Sequence, residues 1–89
     1  MSAIRVMLVD DHAVVRMGFK LLLQGADDIE VVAEAESGEE AIKRYPEIKP
    51  DVVVMDISMP GIGGLEAVSR LLAKYPAAKI LILSAHEDS

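Results

Sequence analysis

Apolar and polar positions change period several times along the chain. Residues 4–10, IRVMLVD, are apolar almost without a break and end on an acid. A short continuous run of that kind predicts a strand covered on both faces, as in parallel sheets. In HAVVRMGFKLLLQG (12–25) the polar residues His12, Arg16, Lys20 and Gln24 recur every four positions. That spacing predicts a helix with one stripe toward water, and Gly25 is its natural stop. IEVVAEAE (29–36) alternates more, as an edge strand would. SGEE (37–40) has the form of a capping box, Ser37 as N-cap and Glu40 three residues on. The helix it opens carries two i,i+4 pairs, Glu39 with Lys43 and Glu40 with Arg44. It is expected to stop near Pro46, with Pro50 ahead of the next strand. DVVVMD (51–56) is a second buried strand, and ISMPGIGG (57–64), with one proline and three glycines, is a loop. A helix is expected from about Leu65 to Tyr75, with Leu65, Val68, Leu71, Leu72 and Tyr75 on one side. KILILS (79–84) is a fourth strand.

The order βαβαβαβ defines an α/β domain with right-handed crossovers, a parallel sheet and helices on both faces. The flavodoxin-like, doubly wound strand order 2-1-3-4 sets the first and third strands side by side. Ligands of such sheets bind beyond the carboxyl ends of the strands, where that order reverses.

Composition narrows the picture. At 89 residues the chain is one domain at most, and its 52% hydrophobic content includes only two Tyr and one Phe, so the core must be aliphatic. No apolar run approaches the roughly 18 residues of a membrane span. MSAIRV lacks the basic flank and long apolar stretch of a signal peptide. The absence of cysteine excludes disulfides and thiolate metal sites and makes a cytoplasmic address the default. A net charge of −6 argues against direct nucleic-acid binding by this segment.

Candidate chemistry lies in three acids. Asp10 and Asp11 end the first strand and Asp56 ends the third, so the 2-1-3-4 order brings them to one rim. Two like charges about 4 Å apart repel by roughly 4 kcal/mol at an effective dielectric near 20. A hard cation relieves that repulsion. Mg²⁺ fits, since it commonly takes one or two carboxylates, keeps waters and binds phosphate oxygens. Such a platform suits transfer of a phosphoryl group onto a carboxylate. The plainer reading is that Asp10 or Asp11 caps the following helix and Asp56 caps a loop. His86 reads as a solvated loop histidine, since Mg²⁺ is indifferent to imidazole. Met7, Met17, Met55 and Met59 read as gap-fillers. Gly61, Gly63 and Gly64 lack the Lys-Ser/Thr that a Walker phosphate loop requires.

The stretches VMLVDDHAVVRMGFKLLL, EAESGEEAI, PDVVVMDISMPGIGGLEA and ILILSAHED resemble the receiver domain of bacterial two-component response regulators. The likeness is to the LuxR/NarL (FixJ-like) type, whose receivers precede a helix-turn-helix DNA-binding domain. The resemblance implies a CheY-like fold and a phosphorelay role. Asp56 would accept a phosphoryl group from a phosphohistidine on a sensor histidine kinase. Asp11 and Asp56 would ligate Mg²⁺ directly with the backbone carbonyl of Ser58, and Asp10 through a water. Ser84 would be the hydroxyl that turns toward the phosphate, although its position alone reads as an ordinary strand-end hydroxyl. Met59, Pro60 and Gly61 match the family's loop after the acceptor. A module of this kind assists its own phosphorylation but is not an enzyme.

A complete receiver has five strands and five helices, so this sequence lacks the last helix-strand-helix. None of Lys20, Lys43, Lys49, Lys74 and Lys79 falls where the family's phosphate-binding lysine stands. Residues 1–89 are therefore expected to be the N-terminal part of a single receiver domain, with the DNA-binding output outside it. Phosphorylation should be slow without that fixed cation. Ile80, Leu81, Ile82 and Leu83 on an open edge predict self-association through the fourth strand or exchange of elements. No membrane contact is expected. Two other readings stand beside this one. A Mg²⁺-dependent aspartyl phosphohydrolase usually has a second Asp two residues after the nucleophile, where this chain has Ser58, with His12 after its acidic pair. A pseudo-receiver would serve only as an interaction surface.

Overall fold

Continuous apolarity in the first and third strands has its cause in where they lie in the sheet. The computed structural model describes residues 3–56 and 63–83. Its elements are β1 (Ile4–Val9), α1 (Ala13–Gln24), β2 (Ile29–Ala35), α2 (Gly38–Ile48), β3 (Val52–Asp56), α3 (Gly63–Lys74) and β4 (Ile80–Leu83). The four strands form one sheet of order β2-β1-β3-β4, and every pairing is parallel. The expected flavodoxin-like (CheY-like) topology is the observed one. β1 and β3 are interior, with Val6 to Val9 and Val53 to Met55 all buried. β2 lies at the sheet edge, and its register against β1 shifts between Val6 and Met7.

Alternate residues of the interior strands feed two cores of unequal size. Met7, Val9, Val53 and Met55 pack beneath α2 and α3 with Ala33, Ala35, Ala41, Ala67 and Leu71. The Tyr45 and Tyr75 rings stack at 4.7 Å between centroids, adding an aromatic contact to that side. On the opposite face Val6, Leu8 and Val54 are covered by Phe19 and Leu23 of α1. That single helix contains no fully buried residue and leaves Val14, Met17, Leu21 and Leu22 exposed.

Three expectations are corrected. The polar stripe of α1 does not simply face water. Arg16 is mostly covered and its Nε donates to Glu34 Oε1 at 2.9 Å, while Lys20 Nζ lies 3.0 Å from Glu34 Oε2. Both cations pair with the outer sheet edge, Arg16 mostly covered and Lys20 still partly in solvent. Secondly, α2 ends two residues past Pro46, close to the expected stop but not at the proline itself. Proline removes the N–H that would bond the carbonyl four residues back, yet the helix runs to Ile48. It closes with Lys49 in the left-handed region at φ 50°. The Arg5 guanidinium then donates to the carbonyls of Lys49 at 2.6 Å and Ile48 at 2.8 Å, satisfying two of the orphan groups of a helix end. Thirdly, Leu65 and Leu72 of α3 are exposed, whereas Ala67 and Leu71 are fully buried. The helix presents Ala67 to the sheet because a small residue lets the backbones approach.

Ser37 behaves as expected. Its hydroxyl accepts from the Glu40 N–H at 3.1 Å, and Glu40 Oε1 reaches back to the Glu36 N–H at 2.9 Å.

Candidate functional site

The carboxyl ends of β1 and β3 lie side by side because Val9 pairs with Met55. The next residue on each strand is an aspartate, so the register itself brings Asp10 against Asp56. Both side chains are almost fully buried, at 3% residue exposure each. Asp11 follows on the more open turn, with its side chain 24% exposed. Suitable ligand atoms of Asp10, Asp11, His12 and Asp56 all lie within 4.8 Å of one another. The three predicted carboxylates therefore meet at the switch point.

Asp10 is held from several directions. Its N–H donates to the Ala35 carbonyl at 3.0 Å, and its Oδ1 accepts from the His12 N–H at 2.8 Å. Arg16 Nη1 donates to its backbone carbonyl at 2.6 Å. Asp11 is held differently. Its Oδ1 is closed to solvent, and the nearest polar partner is the His12 ring. The helix-capping alternative does not describe these residues. The N-cap of α1 is His12, which makes no side-chain capping bond. The Asp10 carboxylate bonds the cap residue's own N–H, not that of the second or third helical residue, as a capping side chain would.

Carboxylates gathered this closely at a largely buried rim are costly unless something positive meets them. An ion with bonds of about 2.1 Å spans opposite ligands about 4.2 Å apart. Ligand atoms gathered within 4.8 Å lie at most a few tenths of an ångström outside that span, so a small inward shift closes them on an ion, and carboxylates are the donors a hard dication prefers. The residues present thus fit Mg²⁺.

Two participants were not foreseen. Arg16 stands in the first turn of α1, which starts at the same rim, so its guanidinium reaches Asp10. His12 places Nδ1 at 2.9 Å from Asp11 Oδ1 and 3.5 Å from Asp10 Oδ1. The four-residue step from His12 to Arg16 marked them as one helical stripe but gave no sign that it turns toward the strand ends. Ser58, Met59, Pro60, Gly61 and Ser84 lie outside the described residues, as does His86. All five lysines are described. Lys20, Lys43 and Lys74 are on helices, Lys49 closes α2, and Lys79 precedes β4 at the end of the sheet opposite the acids.

Fold and site together define a doubly wound α/β domain with a cation-ready acidic pocket at its topological switch point. The chain belongs to the response regulator receiver domain family, which it matches over residues 6–89. It is 49% identical over 85 residues to response regulator GacA of Pseudomonas viridiflava, covering 96% of this chain and 40% of that protein. This chain thus spans well under half the length of that relative. A LuxR-family two-component response regulator from Aurantimonas sp. SI85-9A1 superposes with a TM-score of 0.91 at 45% identity, covering 97% of this chain and 61% of that one. Response regulator TrrA of Thermotoga maritima, solved in complex with Mg(2+)-BeF, gives a TM-score of 0.84 at 39% identity, covering 98% of this chain and 72% of that one. The chain is thus a two-component receiver, a signalling domain. No helix among the described residues is long and apolar enough to cross a membrane.

Proposed function

We propose that this chain is the phosphoacceptor module of a phosphorelay, taking a phosphoryl group onto Asp56 from a sensor histidine kinase with Mg²⁺ bound by Asp11 and Asp56 directly and by Asp10 through water. The observation that carries the reading is the convergence of the three carboxylates at the ends of two paired strands. The TrrA complex supports it, since that relative at 39% identity was solved with Mg²⁺ and a beryllium fluoride.

In this reading one Asp56 oxygen attacks phosphorus as the P–N bond to the kinase histidine breaks, and the departing imidazole keeps the bonding pair. Mg²⁺ supplies positive charge that offsets the gathered carboxylates and the phosphoryl oxygens. The protein's part is positioning. Strand pairing fixes Asp56, and the bonds from His12 and Arg16 fix Asp10. By the family resemblance the backbone carbonyl of Ser58 would complete the ligand set, Ser84 would sense the phosphate, and Met59, Pro60 and Gly61 would match the loop after the acceptor.

The likeness to the transcriptional regulatory protein DegU of Brevibacillus brevis, 42% identical over 87 residues, supports transcriptional control in the cytoplasm as the output, through a DNA-binding domain outside this segment. Leu81 and Ile82, on opposite faces of β4, are 56% and 42% exposed. We assign this strand as the place where a second copy pairs or exchanges an element.

The test is incubation with acetyl phosphate and Mg²⁺, followed by intact mass. One hydroxylamine-labile phosphoryl adduct on the parent and none on Asp56→Asn is expected. Rapid turnover of a small phosphate ester would favour the aspartyl phosphohydrolase instead, and no adduct would favour the pseudo-receiver.

A further inference from the structure

We propose that His12 is an additional ligand of the acidic site and tilts its preference from Mg²⁺ toward first-row transition-metal ions. The inference rests on the reading of Asp10, Asp11 and Asp56 as a cation site.

Its starting point is the close approach of an imidazole nitrogen to the acidic cluster. His12 Nδ1 approaches Asp11 Oδ1, an oxygen closed to solvent, to 2.9 Å. At such a distance an aligned N–H would be an ordinary donor. A ring nitrogen of His12 and ligand atoms of the three acids lie within 4.8 Å of one another and face one space. Adjacent ligands of an octahedral ion with bonds near 2.1 Å stand about 3.0 Å apart, close to the observed separation.

The backbone of His12 is fixed while its ring is free to adjust. Its N–H is held by Asp10 Oδ1 at 2.8 Å, and its carbonyl accepts the first α1 bond from the Arg16 N–H at 2.8 Å. The side chain is 62% exposed, so turning the ring a little costs little packing. Mg²⁺ gains nothing from imidazole, whereas Mn²⁺, Co²⁺ and especially Ni²⁺ bind it with rising affinity. A carboxylate set with one imidazole at its lip therefore discriminates among dications in a way that a purely carboxylate set does not.

The experiment is calorimetric titration of the intact protein with MgCl₂ and with NiCl₂, for the parent, His12→Ala, His12→Asn, Asp11→Asn and His86→Ala. Because the ring is exposed and makes no capping bond, the His12 variants should fold normally. The expected result is a fall in Ni²⁺ affinity of about tenfold in both His12 variants, with Mg²⁺ affinity changed by no more than about twofold. His86→Ala should behave as the parent. Excess Mg²⁺ should displace Ni²⁺, and substoichiometric Mn²⁺ should broaden the His12 ring resonances. Equal changes for both ions, or none, in the His12 variants would overturn the assignment, as would Ni²⁺ binding that Mg²⁺ fails to compete away. If Asp11→Asn binds Mg²⁺ as the parent does, the acidic-site reading itself is wrong. If Asp11→Asn weakens Mg²⁺ and the His12 variants spare Ni²⁺, only the role of His12 is lost.

Discussion

Arg16 Nη1 donates to the backbone carbonyl of Asp10 across 2.6 Å, tying the first turn of α1 to the residue that ends β1. The same side chain reaches Glu34 through Nε at 2.9 Å, so one guanidinium joins helix, rim and edge strand. Removing it leaves the Asp10 carbonyl without its charged donor. Arg16→Met keeps most of the aliphatic stem and should lower unfolding free energy by about 1–3 kcal/mol in urea titrations. It should also weaken Mg²⁺ binding, because Asp10 loses one of its fixed contacts. Unchanged stability and metal affinity would show that the bond is ornamental.

Glu34 predicts an acid-sensitive limb of stability. Hydrogen bonds from Lys20 and then Arg16 hold its carboxyl below the ordinary value of 4.5. A folded-state value below the unfolded one contributes stability above about pH 4.5, and that contribution is lost as pH falls toward the lowered folded value. Glu34→Gln should therefore be less stable than the parent at pH 6, and the gap should shrink on acidification through that window. Because Glu34 is partly solvated, the gap should be modest and smaller in high salt. A gap independent of pH would contradict the ion-pair account.

Leu71 and Leu65 separate the two faces of α3. Leu71 is 0% exposed and Leu65 63%. Leu71→Ala should cost about 2–5 kcal/mol and Leu65→Ala well under half of that. Chemical denaturation of both variants decides it, and equal losses would mean the helix is rotated from the orientation described.

Much of this was legible in the chain. Unbroken apolar runs at 4–10 and 51–56 announced interior parallel strands, and the alternation of strands with helices gave the order that brings Asp10, Asp11 and Asp56 together. Other features depend on relations that no local pattern carries. Arg5 closes α2 from 43 and 44 residues away, so Pro46 looked like a terminator when the real closure was distant. Leu65 and Leu72 outweighed Ala67 by hydrophobicity, yet the close approach to the sheet selects the small residue. The facing of His12 and Arg16 toward the acids follows from the phase at which α1 leaves β1, which the polar spacing within the helix does not carry.

The β4 edge makes a prediction about assembly. Sedimentation velocity should show an average mass that rises with concentration, reduced by Leu81→Lys, since a charge on an exposed strand opposes edge-to-edge pairing. A single monomeric species at every concentration would contradict the pairing proposed for this strand.

The most direct measurement is to find which residue carries the phosphoryl group. After reaction with acetyl phosphate, borohydride reduces an aspartyl phosphate to homoserine, which tandem mass spectrometry locates by position. Homoserine at residue 56, formed with Mg²⁺ and lost with Mg²⁺ removal or in Asp11→Asn, is the predicted result. Homoserine at another acid, or none at residue 56 under conditions that phosphorylate the protein, would contradict the account.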